Sequence, residues 1–128
     1  MSVCQALQIE VFEDNSAFVM ARIEGHLGTN ITQASMSAIS ALVYDVQNSN
    51  ALVATLTPSI PATVFDSLQT ADPRWKTDAV GYNFGYMIPG SSFPDGGKLY
   101  LVKFVFTPTS GDPFNFRAKV TTVELPGQ

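Results

Sequence analysis

One cysteine, Cys4, and one histidine, His26, stand among 128 residues. A lone cysteine excludes a disulfide framework within the chain. The two residues together are too few for a zinc site built from Cys and His ligands. Charge is also scarce: 14% of residues are charged, against roughly 25% in an ordinary soluble domain. The seven basic residues, Arg22, Arg74, Lys76, Lys98, Lys103, Arg117 and Lys119, form no run, and the net charge is −4. That pattern argues against a surface that tracks a phosphate backbone, and against attraction to an anionic membrane. No apolar run approaches the ~20 residues of a membrane-spanning helix. The opening Met1-Ser2-Val3-Cys4-Gln5 shows no basic segment followed by an apolar stretch, so no signal peptide is expected.

What the chain does have is apolar bulk. It is 45% hydrophobic, with nine Phe, four Tyr and one Trp, enough to close a core and to argue against disorder. Residues 1–128 are read as one domain, since no repeat, linker or low-complexity segment divides them. The low charge content has two readings. Part of the surface is covered by a partner, or the surface is simply a neutral one of Ser, Thr and Asn.

Alternation with a period of two recurs along the chain, the mark of half-buried strands. Leu7, Ile9 and Val11 alternate with Gln8, Glu10 and Phe12, and Glu13-Asp14-Asn15-Ser16 follows as a turn. A second strand runs through 18–23. Residues 36–46 read as a strand because Ile39, Val43, Tyr44 and Val46 outweigh the helix-compatible alanines. Asn48-Ser49-Asn50 turns this strand into a partner over 51–57, which Pro58 and Pro61 end. A short helical turn is expected over 63–69, with Val64, Phe65 and Leu68 on one side. Residues 79–88 form a weakly alternating aromatic strand. The last third is the clearest, with strands over 98–106 and 114–122 joined through Ser110-Gly111-Asp112 and expected to present one apolar and one polar face.

The expected fold class is therefore all-β: an immunoglobulin-like β-sandwich of about seven antiparallel strands. Two strings add a resemblance. Phe93-Pro94-Asp95-Gly96-Gly97-Lys98-Leu99-Tyr100 resembles the turn into a late strand of immunoglobulin and fibronectin-type domains. The resemblance implies that Tyr100 plays the part of the tyrosine-corner residue, its hydroxyl bonded to preceding backbone. The cysteine pair of antibody domains is absent, and Trp75 falls in a loop. Leu68-Gln69-Thr70-Ala71-Asp72-Pro73-Arg74-Trp75, followed by Gly81-Tyr82-Asn83-Phe84, looks like a string found in small proteins of phages and bacteria. The layout resembles the immunoglobulin-like accessory and structural proteins of tailed-phage virions. This resemblance implies a structural role in the virion and names no ligand.

No catalytic, metal-binding or cofactor-binding set emerges from the residues. Asp14, Asp72, Asp78, Asp95 and Asp112 sit in turn-forming positions, and no acid–base pair or calcium-loop spacing is visible. His26, the one imidazole base, lies in a glycine-flanked loop. Asp45 is read chiefly as an outward-facing residue near a strand end, with capping of a neighbouring loop or pairing with Arg74 as alternatives. Tyr82, Phe84 and Tyr86 share a parity and are expected in the core. Trp75, flanked by Arg74 and Lys76, is the candidate anchor of an interface, unless it covers one end of the core. Leu7 and Ile9 of the first strand join it.

The expected role is non-enzymatic, with no cofactor. The chain would be a virion component (capsid decoration, neck–tail or fibre anchor) made in the host cytoplasm. Its partners would be other virion proteins and further copies of itself, with neither nucleic acid nor membrane. The alternative is a carbohydrate-binding or host-adhesion module that stacks a surface glycan on Trp75 and exposed tyrosines.

Overall fold

A computed structural model describes residues 6–24, 29–73 and 81–124. They form eight strands: β1 (Ala6–Phe12), β2 (Ala17–Ala21), β3 (Met36–Asp45), β4 (Ala51–Leu56), β5 (Val64–Gln69), β6 (Tyr82–Ile88), β7 (Leu99–Pro108) and β8 (Phe114–Val123). One helical turn, α1 (Ile60–Thr63), precedes β5.

The strands make two sheets. The larger has the order β1-β8-β7-β3-β4 and the smaller the order β2-β6-β5. The second strand thus joins the sixth and fifth, while the third joins the seventh and eighth. The grouping is similar to that of an immunoglobulin-type sandwich, with an extra strand beyond the third and with the first strand carried on the larger sheet. The fold is an all-β sandwich.

Three details differ from the sequence reading. The eighth strand is β5, where a helical turn was expected. The turn occurs one step earlier, where Pro61 fits the first turn of a helix and the Thr63 backbone N–H and Oγ1 both donate to the Ser59 carbonyl. Val64 then leaves the helix in extended geometry and pairs with Phe84. Second, β1 runs parallel to β8, Ala6 opposite Arg117 through Phe12 opposite Val123, so the pairings are not all antiparallel. Third, β7 is not polar on its outward side: Leu99, Leu101 and Val105 point away from the core there.

Alternation decides the inside. Tyr100, Val102, Phe104 and Phe106 of β7 are buried, as are Phe114, Phe116, Ala118 and Val120 of β8. From the small sheet come Ala17, Val19, Ala21, Val64, Phe84 and Ile88. Phe84 bridges the layers, its ring edge-on to Phe104 at 5.3 Å and to Phe106 at 5.2 Å, the geometry that aromatic quadrupoles favour.

Gly90 shows how closely the loops approach at one end. A Cβ there would collide with the Asp14 carbonyl of the β1–β2 turn, so only glycine lets the two segments meet.

Phe84→Ala is expected to cost ~3–5 kcal/mol, since it leaves a cavity at the junction of the sheets. Urea unfolding monitored by circular dichroism would show a lowered midpoint with an unchanged slope.

Candidate interaction surface

No three of His, Cys, Asp and Glu among the described residues are placed to hold a metal ion. No buried side-chain polar atom among them lacks a hydrogen-bond partner. A cleft of about 390 Å³ opens where the β2–β3 and β7–β8 connections meet, with Thr29, Ser35, Thr109 and Ser110 around Met36 and Phe114. Its lining holds no ionisable side chain.

The buried polar groups instead fasten loops. Asn83 of β6 is 1% exposed. Its Oδ1 accepts the Ile23 N–H at 2.7 Å and its Nδ2 donates to the Ile23 carbonyl at 3.0 Å, which anchors the chain leaving β2. Tyr100 is fully buried, and its hydroxyl accepts the Asp95 backbone N–H at 3.2 Å. Thr122 Oγ1 donates to the Asp95 carbonyl at 2.6 Å and accepts the Lys98 N–H at 3.0 Å. Phe93 seals the same corner, its ring tilted against Tyr100 at 5.4 Å.

Asp45 belongs to this corner and corrects the outward-facing reading. It is 6% exposed. Its Oδ2 meets Lys98 Nζ at 3.2 Å, and its Oδ1 accepts the Gln47 N–H at 3.1 Å. A carboxylate at a strand end is turned inward here because a cation and a turn N–H both await it.

Arg74, Trp75 and Lys76 lie outside the described residues, as does His26. Leu7 is described by its backbone, opposite Ala118. Ile9 is half-buried and packs against the core, so its strand rather than its side chain is open to a partner. Among the tyrosines offered as a glycan platform, Tyr82 and Tyr100 are buried and Tyr86 packs against the core. Tyr44 faces outward on β3.

The outer face of the large sheet has a different character. Strand register sets its side chains in rows. One row runs Thr55, Leu42, Lys103, Arg117; the next runs Leu52, Tyr44, Leu101, Lys119, Gln8. Leu99 and Val105 flank these rows along β7. A register shift at Val43/Tyr44 leaves Val53 without a partner in the β3–β4 pairing, and both Leu52 and Val53 are exposed, Leu52 at 55%. The small sheet treats its own outer face otherwise: the rings of Phe18 and Phe65 close over Gly85.

Sequence reading missed this face because it assigned β7 one polar side. The signal was present. A strand whose odd positions (Leu99, Leu101, Val105) and even positions (Tyr100, Val102, Phe104) are both apolar asks for cover on two sides.

Comparison with family models, with curated proteins and with solved structures returns no match.

Burial pushes the Tyr100 hydroxyl above its ordinary value, and the Asp95 and Asp45 carboxylates push the same way, while the Asp95 backbone N–H and Lys98 oppose them. The fold thus favours the protonated phenol. Its contribution is complete below the unfolded value of about 10 and is lost as pH rises through the higher folded value. Urea midpoints are therefore expected to fall between about pH 9 and about pH 11. Tyr100→Phe should be less stable at pH 9 and should lose less across that interval. An equal loss in both proteins would remove Tyr100 from the account.

Proposed function

We propose that this chain is a structural protein of a tailed-bacteriophage virion, a decoration, neck–tail or fibre-anchoring component, and that it works through protein–protein contacts. The observation that carries the protein-contact reading is the outer face of the five-stranded sheet. Leu42, Tyr44, Leu52, Leu99, Leu101 and Val105 stand there on a rigid support, a larger apolar grouping than an isolated surface residue explains. A loop corner fastened by Tyr100, Thr122 and Asp45 suits a module whose worth lies in holding its shape.

The narrower assignment to a phage particle rests on the strings 68–75 and 81–84 and on the layout they accompany. Such components gain stability by mass action on a repeating lattice. The glycan alternative draws less support, since three of the four tyrosines are turned into the fold.

Particles purified from a lysate of the strain that carries the gene provide the test. The chain is expected to co-sediment with assembled particles in a fixed ratio to their other proteins, and purified chain should rebind particles made without it, saturably. Particles that lack the chain and do not bind it would overturn the virion assignment.

A further inference from the structure

The apolar rows end in charge. Lys103 of β7 stands directly opposite Arg117 of β8, and Lys119 is the next outward residue along β8, opposite Leu101. All three side chains leave the same side of the sheet, because Val102, Phe104, Phe116 and Ala118 fill the other. Like charges placed directly opposite across a strand pair destabilise it, and none of these three cations has an ion-pair partner among the described residues. Among the described strand residues, the carboxylate on this outward face is Glu10 of β1, opposite Thr121. A chain of net charge −4 with eleven acids thus gathers three of its seven cations on one face, against one described strand carboxylate, Glu10, at the neighbouring edge.

We propose that this face is a docking surface for an acidic protein, whose carboxylates meet Lys103, Arg117 and Lys119 and whose apolar side chains lie on Leu42, Tyr44 and Leu101. The inference rests on the reading of the chain as a module of protein contacts, and it adds the surface and the chemistry of the partner. Charge complementarity selects the occupant. An acidic partner neutralises the three cations where they stand.

A second copy laid face to face would match apolar rows to apolar rows. Among the described strand residues it would bring those cations one carboxylate, its own Glu10. A nucleic acid would find three cations beside a half-face of leucine and tyrosine, a poor match to a phosphate-tracking stripe.

The test uses the full chain, labelled with ¹⁵N, and a synthetic peptide in which glutamates flank a Phe-Leu core. Amide shifts are expected to be confined to β3, β7 and β8. They should disappear when glutamine replaces the peptide's glutamates, and in about 1 M salt, where the screening length falls to about 3 Å. The triple variant Lys103→Glu, Arg117→Glu, Lys119→Glu should abolish binding with its dispersed spectrum intact, and Lys119→Glu alone should weaken it if the triple variant does not fold.

Absence of shifts, or shifts elsewhere on the fold, would overturn the proposal. Equal shifts from a thymidine oligonucleotide would replace it with a general polyanion site. Concentration-dependent dimerisation abolished by Leu101→Ser would replace it with self-association. The two readings fail separately. Particles that incorporate the triple variant normally would discard the docking surface and keep the virion role. A chain absent from particles that still binds the peptide on this face would do the reverse.

Discussion

The contact on which the sandwich depends is the wedge of Phe84 between Phe104 and Phe106. Phe84 is the fully buried aromatic of the small sheet, and its neighbours belong to the central part of the large one. Tyr86 repeats the contact one step along, edge-on to Phe104 at 6.2 Å. Phe116 and Phe114 then carry the aromatic layer sideways, against Phe104 and Phe106 respectively. Burying that many rings in one layer removes a large apolar area from water. It also constrains the strands. Two rings of β6 and two of β7 must hold one parity each, so the opposite parity of β7 is committed to the outside whatever its chemistry.

That commitment links the core to the surface. The inward parity of β7 is Tyr100, Val102, Phe104 and Phe106, and the outward parity is Leu99, Leu101, Lys103 and Val105. A one-residue slip would exchange the two sets. Lys103 resists the slip, because inward it would be an unpaired buried charge. The Tyr100 hydroxyl resists it too, being matched to the Asp95 N–H. The residues that fix the register are thus the ones that place Leu101 and Lys103 side by side on the outer face. Stability and surface chemistry are set by the same alternation.

How far this could be read from the residues varied with the range of the interactions. The β7–β8 hairpin was legible because its alternation is long and Ser110-Gly111-Asp112 marks the turn. The β5 strand was hidden. Val64, Phe65 and Leu68 sit at spacings that a helix face also has, and what makes them a strand is Phe84, twenty residues on. The direction of β1 was invisible for a related reason: alternation assigns Ile9 and Val11 to a face but says nothing of which strand lies alongside. Asp45 fails on distance as well, since its cation, Lys98, is 53 residues away. The candidate surface was readable in principle from the double apolar parity of β7. Its cationic border was not, because Lys103, Arg117 and Lys119 look scattered until register sets them together.

Scattered charge in the sequence and clustered charge on the sheet have different consequences. A composition of seven cations against eleven acids describes a mildly acidic molecule, and in physiological salt a partner senses that balance only weakly beyond the screening length of about 8 Å. At contact distance the partner meets the local arrangement. Strand pairing brings together residues fourteen apart in sequence, Lys103 and Arg117, with side chains on neighbouring strands about 5 Å apart. Net charge therefore argues against nucleic acid over the whole molecule without excluding a cationic patch on one face. The long-range field slightly disfavours an acidic protein, and the close contact favours it. A partner so recognised gains little from electrostatic steering and much from the complementarity of the final fit, so specificity at this face is decided after encounter rather than before it.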